Sequence, residues 1–274
     1  MIVLVTGGSS GIGLATVRRL AAAGHQVIPA SRRPTRAELP AGATPVVLDV
    51  TSAESATVAV ERVVEEFGGL DVLVNNAGLG SIGPVEETDD GEAHRVFDVN
   101  FFGPMRLARL VVPLMRSRGA GRIINVTSMN DVLPAPFGSW YSASKAALAS
   151  ASFVLGAEVR AFGIFVSIVA PGFFRTDMAA ELGAAPVDPR SNYRDTLRAM
   201  RAEDTRRLDT AGDPDEVALA IEACINSAEP PARVVVGRDA MDFDKLVRES
   251  TPDDLAKMVQ DYVAQLSALG QGDL

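Results

Sequence analysis

Cysteine, histidine and basic charge are all scarce in this chain. The single cysteine, Cys224, excludes a disulfide framework and reads as a buried helix residue. The two histidines, His25 and His94, have no Cys or carboxylate partners at ligand spacing, so no metal site is expected. Lys and Arg number 26 against 35 Asp and Glu, for a net charge of −9, and no Lys/Arg run occurs. Nucleic acid and anionic membranes both need a basic footprint and are excluded as partners. The longest apolar stretch, residues 161–174, is too short for a bilayer that takes about 20 residues. Met1 leads straight into Ile2-Val3-Leu4-Val5 with no basic leader. A soluble, cytoplasmic protein is the expectation.

Glycine and apolar residues, by contrast, are plentiful: 24 glycines and 47% hydrophobic side chains in 274 residues, enough for one or two domains with their own core. Short β-rich runs alternate with helical patterns, the signature of βαβ units. Strands are predicted at 2–6, 26–30, 45–48, 70–75, 122–128, 165–169 and 233–236. Most are unbroken apolar runs, as strands covered on both faces require. Helices are predicted at 11–23, 52–67, 90–118, 141–161 and 214–227. The expected fold is a single doubly wound α/β domain over 1–237, with a seven-stranded, mostly parallel sheet and helices on both faces. Two stretches break the alternation. Residues 173–212, with a helix near 193–201, have the length of a substrate lid. Residues 238–274 carry Leu255, Met258, Val259, Tyr262, Val263, Leu266 and Leu269 at helical spacing behind a Thr251-Pro252-Asp253-Asp254 start. Residues 239–274 of this helical extension hold eight acids and three bases, so packing on the body or on a second subunit is expected rather than membrane binding.

Thr6-Gly7-Gly8-Ser9-Ser10-Gly11-Ile12-Gly13 lies where the first strand hands over to the first helix. Glycines let the backbone approach a pyrophosphate, and the helix N-terminus supplies free N–H groups, so Gly7, Ser9, Ser10, Gly11, Ile12 and Gly13 are dinucleotide-binding candidates. About 20 residues further on, at the end of the second strand, the ribose-reading position falls on Ser31, followed by Arg32 and Arg33; the first acid beyond is Glu38. An acid there would repel a 2′-phosphate and guanidinium groups would bind it, so NADP(H) is favoured over NAD(H). Tyr141 and Lys145 stand at i and i+4 of a predicted helix and share one face. A phenol with a pKa of about 10 needs a shift of roughly 3 units, about 4 kcal/mol, to act as a base near neutrality. One ammonium about 6 Å away at an effective dielectric of about 20 supplies about 2.8 kcal/mol. The lysine falls short alone and suffices together with a cationic nicotinamide.

Thr6 to Gly13, Asn75-Asn76-Ala77-Gly78, Asn100, Ser128, Tyr141-Ser142-Ala143-Ser144-Lys145 and Pro171-Gly172 occur in an order and spacing that resembles the short-chain dehydrogenase/reductase family, over about residues 1–237. The resemblance implies a Rossmann fold. It implies that Asn76, Ala77 and Gly78 support the sheet and cofactor and that Asp49, with Val50 beside it, contacts adenine. Pro171, Gly172 and Thr176 would hold the nicotinamide amide. Ser128 would hydrogen-bond the substrate oxygen, and Tyr141 would donate or remove its proton. Lys145 would bind the nicotinamide ribose while lowering the tyrosine pKa, and Asn100 would hold a relay water. Hydride transfer leaves an alkoxide-like oxygen that such a hydroxyl pair stabilises and protonates. Within the family the Ser31-Arg32-Arg33-Pro34 turn, the Val234 to Ala240 ending and the helical tail look most like the 17-beta-hydroxysteroid-dehydrogenase-like branch. Met129-Asn130-Asp131 stands where many members have a small residue and a glycine, implying a bulkier, more polar pocket floor.

Met129, Asn130, Val132, Phe137, Phe173, Phe174 and Met178 are the substrate-facing candidates, an apolar set suited to a hydrophobic ketone or secondary alcohol. Arg190, Arg194, Arg198 and Arg201 approximate one stripe of the lid, which would suit an anionic or carrier-linked substrate. A lyase or epimerase using bound nicotinamide transiently, and a non-catalytic dinucleotide sensor, are the competing readings. The helices at 90–118 and 141–161 resemble the family's four-helix interface, so a homo-oligomer is expected, with a dimer favoured.

Overall fold

The computed structural model describes residues 1–34 and 39–272, so Glu38 lies outside the described residues. Seven strands form one sheet: β1 (Ile2–Thr6), β2 (Gln26–Ser31), β3 (Val46–Val47), β4 (Val72–Asn75), β5 (Gly121–Val126), β6 (Ile164–Pro171) and β7 (Arg233–Val236). Their order is β3-β2-β1-β4-β5-β6-β7 and every pairing is parallel. β3 is shorter than the predicted 45–48 because Pro45 has no N–H to extend an edge ladder.

Side chains alternate between the two faces. Leu4, Ile28, Leu73 and Ile123 pack on one side against α2 (Ala53–Phe67), α4 (Gly103–Arg118) and the end of α5 (Ser139–Val159). Val3, Val5, Val27, Val72, Val74 and Ile124 pack on the other against α1 (Gly11–Ala22) and α8 (Pro214–Asn226). Burial on both faces explains why these strands read as continuous apolar runs.

The helix predicted over 90–118 is two helices. α3 (Asp90–Phe97) and α4 are joined by a π-helical turn, Asp98–Phe102, which carries the fully buried Asn100. Such single-turn insertions re-aim one side chain within an otherwise continuous helix. The 173–212 connection, expected as a lid, holds α6 (Asp177–Ala184) and α7 (Arg194–Arg207). The tail folds as α9 (Arg238–Glu249), which periodicity did not separate, and α10 (Pro252–Gly272). Thr251 and Asp254 cap α10 reciprocally: Asp254 N–H donates to Thr251 Oγ1 at 3.2 Å, and Thr251 N–H to Asp254 Oδ2 at 3.0 Å. Leu266 of α10 is fully buried against Leu197 and Met200 of α7, and Thr196 and Ser267 hydroxyls meet at 2.9 Å. Among the described residues no helix is long and apolar enough to cross a membrane.

Candidate active site

Strand order reverses beside β1, between β2 and β4, and the crevice at the carboxyl ends of the strands there is where open α/β sheets bind ligands. The glycine loop fills it. Gly7 and Gly11 have φ of +65° and +49°, conformations that a side chain would strain. A Cβ on Gly13 would lie 2.1 Å from the Gly7 carbonyl oxygen, so helix α1 packs on the loop only with glycine there. Asn76 ties β4 to the loop, donating from Nδ2 to the Thr6 carbonyl at 2.9 Å and the Gly7 carbonyl at 3.3 Å. Thr6 Oγ1 in turn accepts from the N–H groups of Asn76 and Ala77, each at 3.0 Å.

Ser128 follows β5, while Tyr141 and Lys145 come from the first turns of α5. Ser128 and Tyr141 share the wall of one cavity, and the Ser128 hydroxyl lies where it favours the ionised phenol. Ser128 Oγ also accepts from Asn130 N–H at 3.2 Å, fixing the short turn that follows. The Lys145 ammonium is buried, donates to the Val126 carbonyl at 2.9 Å and lies 5.9 Å from the Tyr141 ring centre. Burial pushes the lysine down to about 8, against a smaller upward pull from Asp131. Burial and the Asp131 charge push the tyrosine up, which the Ser128 hydroxyl opposes without cancelling. Lys145 therefore does not lower the phenol by itself. Burial is the largest influence on the phenol.

Asn100 anchors this group from behind. Its Oδ1 accepts from Leu79 N–H at 2.8 Å, and its Nδ2 donates to the Leu79 carbonyl at 2.9 Å and to Ser144 Oγ at 3.0 Å. Ser144 Oγ donates onward to the Tyr141 carbonyl at 2.7 Å. Both amide hydrogens of Asn100 are thus occupied in holding the loop after Gly78 against α5.

A cavity of about 350 Å³ opens over these groups. Its walls bring together Gly7, Ser10, Gly11, Ile12, Asn76, Ala77, Gly78, Ser128, Tyr141, Lys145, Pro171, Gly172 and Thr176, with Met129, Asn130, Phe173, Phe174 and Met178. Phe174 is mostly core, 4% exposed and packed against Gly212 and Gly237. Ser9 and Gly13 belong to the loop but not to the wall.

Three expectations need correction. Val132 is surface, and Phe137 turns under the lid to meet Tyr193 edge-on at 5.7 Å, so neither lines the cavity. Three of the stripe's four arginines face outward: Arg190 pairs with Asp188 at 2.9 Å, and Arg194 and Arg198 pair with Asp195 at 3.2 and 3.6 Å, whereas Arg201 is half-buried. Arg201 donates to the Leu182 carbonyl. Asp131, expected in the pocket floor, turns away into a buried bidentate pair with Arg233 of β7 at 2.7 and 2.8 Å. Sequence reasoning missed Leu182, Met200, Asp204, Arg207 and Tyr262, which reach the cavity from the lid and tail. No local pattern marks them, because tertiary packing alone decides which face of α7 and α10 turns inward.

At the far end of the crevice, Ser31 closes β2 with its Oγ buried and without a partner among the described residues, and Arg32 and Arg33 follow exposed. Asp49 Oδ1 accepts from the Thr51 hydroxyl at 2.7 Å and the Thr51 N–H at 3.0 Å, which holds its carboxyl below the usual range. The Val50 carbonyl accepts from Arg106. Thr176 caps α6 and lies against Gly11. Among the described residues no group of three His, Cys, Asp or Glu side chains gathers as a metal site.

Residues 1–186 match the family described as short chain dehydrogenase. A 3-ketodihydrosphingosine reductase of Bacteroides thetaiotaomicron is 35% identical over 86% of this chain and 87% of its own length. Retinol dehydrogenase 8 of Bos taurus is 34% identical over 84% of this chain and 80% of its own. The crystal structure of a short-chain dehydrogenase from Streptomyces avermitilis superposes with a TM-score of 0.80 at 38% identity, covering 93% of this chain and 94% of that one. The chain belongs to the short chain dehydrogenase family and is an NAD(P)-linked oxidoreductase acting on CH–OH groups and the corresponding carbonyls.

Proposed function

We propose that this chain interconverts a hydrophobic ketone and its secondary alcohol with NADP(H), using Tyr141 as the proton donor and acceptor. The observation that carries the reading is the convergence of Ser128, Tyr141 and buried Lys145 on the wall of an apolar cavity continuous with the glycine loop. The Ser128 hydroxyl donates to the carbonyl oxygen, where negative charge develops. Tyr141 Oη delivers its proton to that oxygen in reduction and takes it from the alcohol in oxidation. Lys145 keeps a positive charge beneath the phenol, and Asn100 holds the loop at Leu79 against α5 so that the three stay aligned.

The chain's residues fit a dinucleotide: a loop from which glycine alone keeps the wall clear, and a buried Ser31 hydroxyl without a partner among the described residues, followed by two exposed arginines. Bound NADP(H) supplies the hydride, and its oxidised ring the positive charge that completes the tyrosine's activation. Ser31, Arg32 and Arg33 would hold the 2′-phosphate, with Asp49 and Val50 beside the adenine. Pro171, Gly172 and Thr176 would hold the nicotinamide end. The relatives' names, a keto-group reductase and a retinol dehydrogenase, point the same way on substrate class. Phe102, Phe153 and Val154, each at least half exposed on and beside α4 and α5, support a homodimer built on those helices.

The test is nicotinamide absorbance with NADPH and NADH on a panel of hydrophobic ketones. Tyr141→Phe should abolish turnover while NADPH binding, followed by fluorescence, persists. Arg32→Ala should raise the NADPH KM about tenfold and leave that for NADH unchanged. Turnover surviving Tyr141→Phe, or a wild-type preference for NADH, would overturn the corresponding half of the reading.

A further inference from the structure

The lid end of the cavity differs from the rest of its wall. Arg207 and Asp204 of α7 and Tyr262 of α10 all line it, among Met200, Leu182 and Phe173. Arg207 stacks its guanidinium on the Phe173 ring, 4.5 Å from the ring centre. Its ion pairs are long, 3.7 Å to Asp204 and 4.0 Å to Asp239, and none of its N–H groups makes a hydrogen bond among the described residues. Asp239 is already engaged, accepting from Phe173 N–H at 2.8 Å. Asp204 has a side chain only 18% exposed and no hydrogen bond of its own, and the Tyr262 hydroxyl likewise has none among the described residues. The cavity wall at this end therefore keeps free donors and acceptors, which water or a bound polar group can complete.

We infer that Arg207, Asp204 and Tyr262 form a second substrate subsite, which takes a neutral polar group carrying both donor and acceptor, a hydroxyl or a carboxamide, remote from the reacting carbonyl. Arg207 offers donors, Asp204 acceptors, and Tyr262 either. Their charges disfavour an anion: Arg207 faces Asp204 and Asp239, Glu203 adds a further negative charge near Asp204 and Tyr262, and of the other cations on the helix Arg206 is taken up by Glu203 and Arg201 by the Leu182 carbonyl. Burial also pushes the Asp204 carboxyl upward, against the pull of Arg207 and Arg201, which suits a partner with a proton to share. The subsite rests on the ketone reading above and narrows its substrate to a bifunctional molecule, apolar in the middle.

The experiment uses 2-alkanones of graded chain length, each as the plain ketone, the ω-hydroxy ketone and the ω-carboxy ketone. At the matching length, wild-type kcat/KM should favour the hydroxy over the plain ketone by about tenfold, the weight of one hydrogen bond to a charged group, and should disfavour the carboxy ketone. Arg207→Met, which keeps a stem over Phe173, and the isosteric Asp204→Asn should each shrink that ratio toward one, mainly through KM. Tyr262→Phe should reduce it in part. A hydroxy-to-plain ratio unchanged in all three variants, or a wild-type preference for the carboxy ketone, would overturn the subsite. If no ketone of any kind turns over, the ketone reading fails instead. Calorimetric titration of ω-diols against simple alcohols then tests the subsite alone, and equal affinity would sink it.

Discussion

Replacing Lys145 with methionine should abolish activity and stabilise the folded protein. The ammonium is 4% exposed, and burial lowers its pKa from 10.5 to about 8. A difference of about 2.5 units at 1.36 kcal/mol each amounts to about 3 kcal/mol of destabilisation below pH 8, where both folded and unfolded chains carry the proton. Methionine keeps the stem and removes that term, but leaves the Val126 carbonyl without its 2.9 Å donor, a loss of about 1 kcal/mol. The net gain at neutral pH is about 2 kcal/mol, or about 4–8 °C in Tm for a chain of this size. The pH dependence isolates the cause. Between pH 8 and 10.5 the unfolded chain still binds the proton that the folded chain has released, so wild-type stability rises with pH through that window relative to the variant. Urea unfolding of both proteins, at one protein concentration and in steps from about pH 7 upward, should show the variant's advantage shrinking from pH 8, gone before 10.5, and replaced above it by a wild-type lead of about 1 kcal/mol from the Val126 hydrogen bond. A stability difference that stays flat across the window would refute the argument, because lost packing or a lost hydrogen bond has no reason to titrate there.

Two other outcomes follow from buried and exposed groups. Arg233→Met leaves the Asp131 carboxylate, whose side chain is 0% exposed, without its bidentate partner; it should cost about 3–5 kcal/mol in urea unfolding, with most of the loss recovered in the Asp131→Asn/Arg233→Met double variant. Phe153→Glu places a charge on the half-exposed α5 face and should shift the mass in light scattering from dimer to monomer, whereas a monomeric wild type would refute the interface.

What could be read from the sequence was whatever the chain encodes locally. Strands covered on both faces must be continuously apolar, so their number and order of appearance were legible, and only their ends moved by a few residues. The glycine loop and the Tyr141–Lys145 pair each lie within one turn or one strand-to-helix handover, so spacing alone places their backbones and side chains together. The turn at Asp98–Phe102 was not legible, because one inserted residue leaves the apolar spacing of 90–118 almost intact while turning Asn100 inward. The lid misled for a related reason. Arg190, Arg194 and Arg198 make a visible stripe, but Asp188 and Asp195 stand close enough in sequence to pair with them, and a stripe satisfied by its own neighbours faces solvent. Arg207 lacked any such mark. It faces the cavity because Leu197 and Met200, on the same helix, are buried beneath Leu266 of α10, and that contact spans more than sixty residues of chain. The fold and the placement of Ser128 and Tyr141 on one cavity were therefore written in short-range pattern. The remaining cavity wall depends on which face of α7 and α10 the core selects, and so became visible only once the two helices were packed.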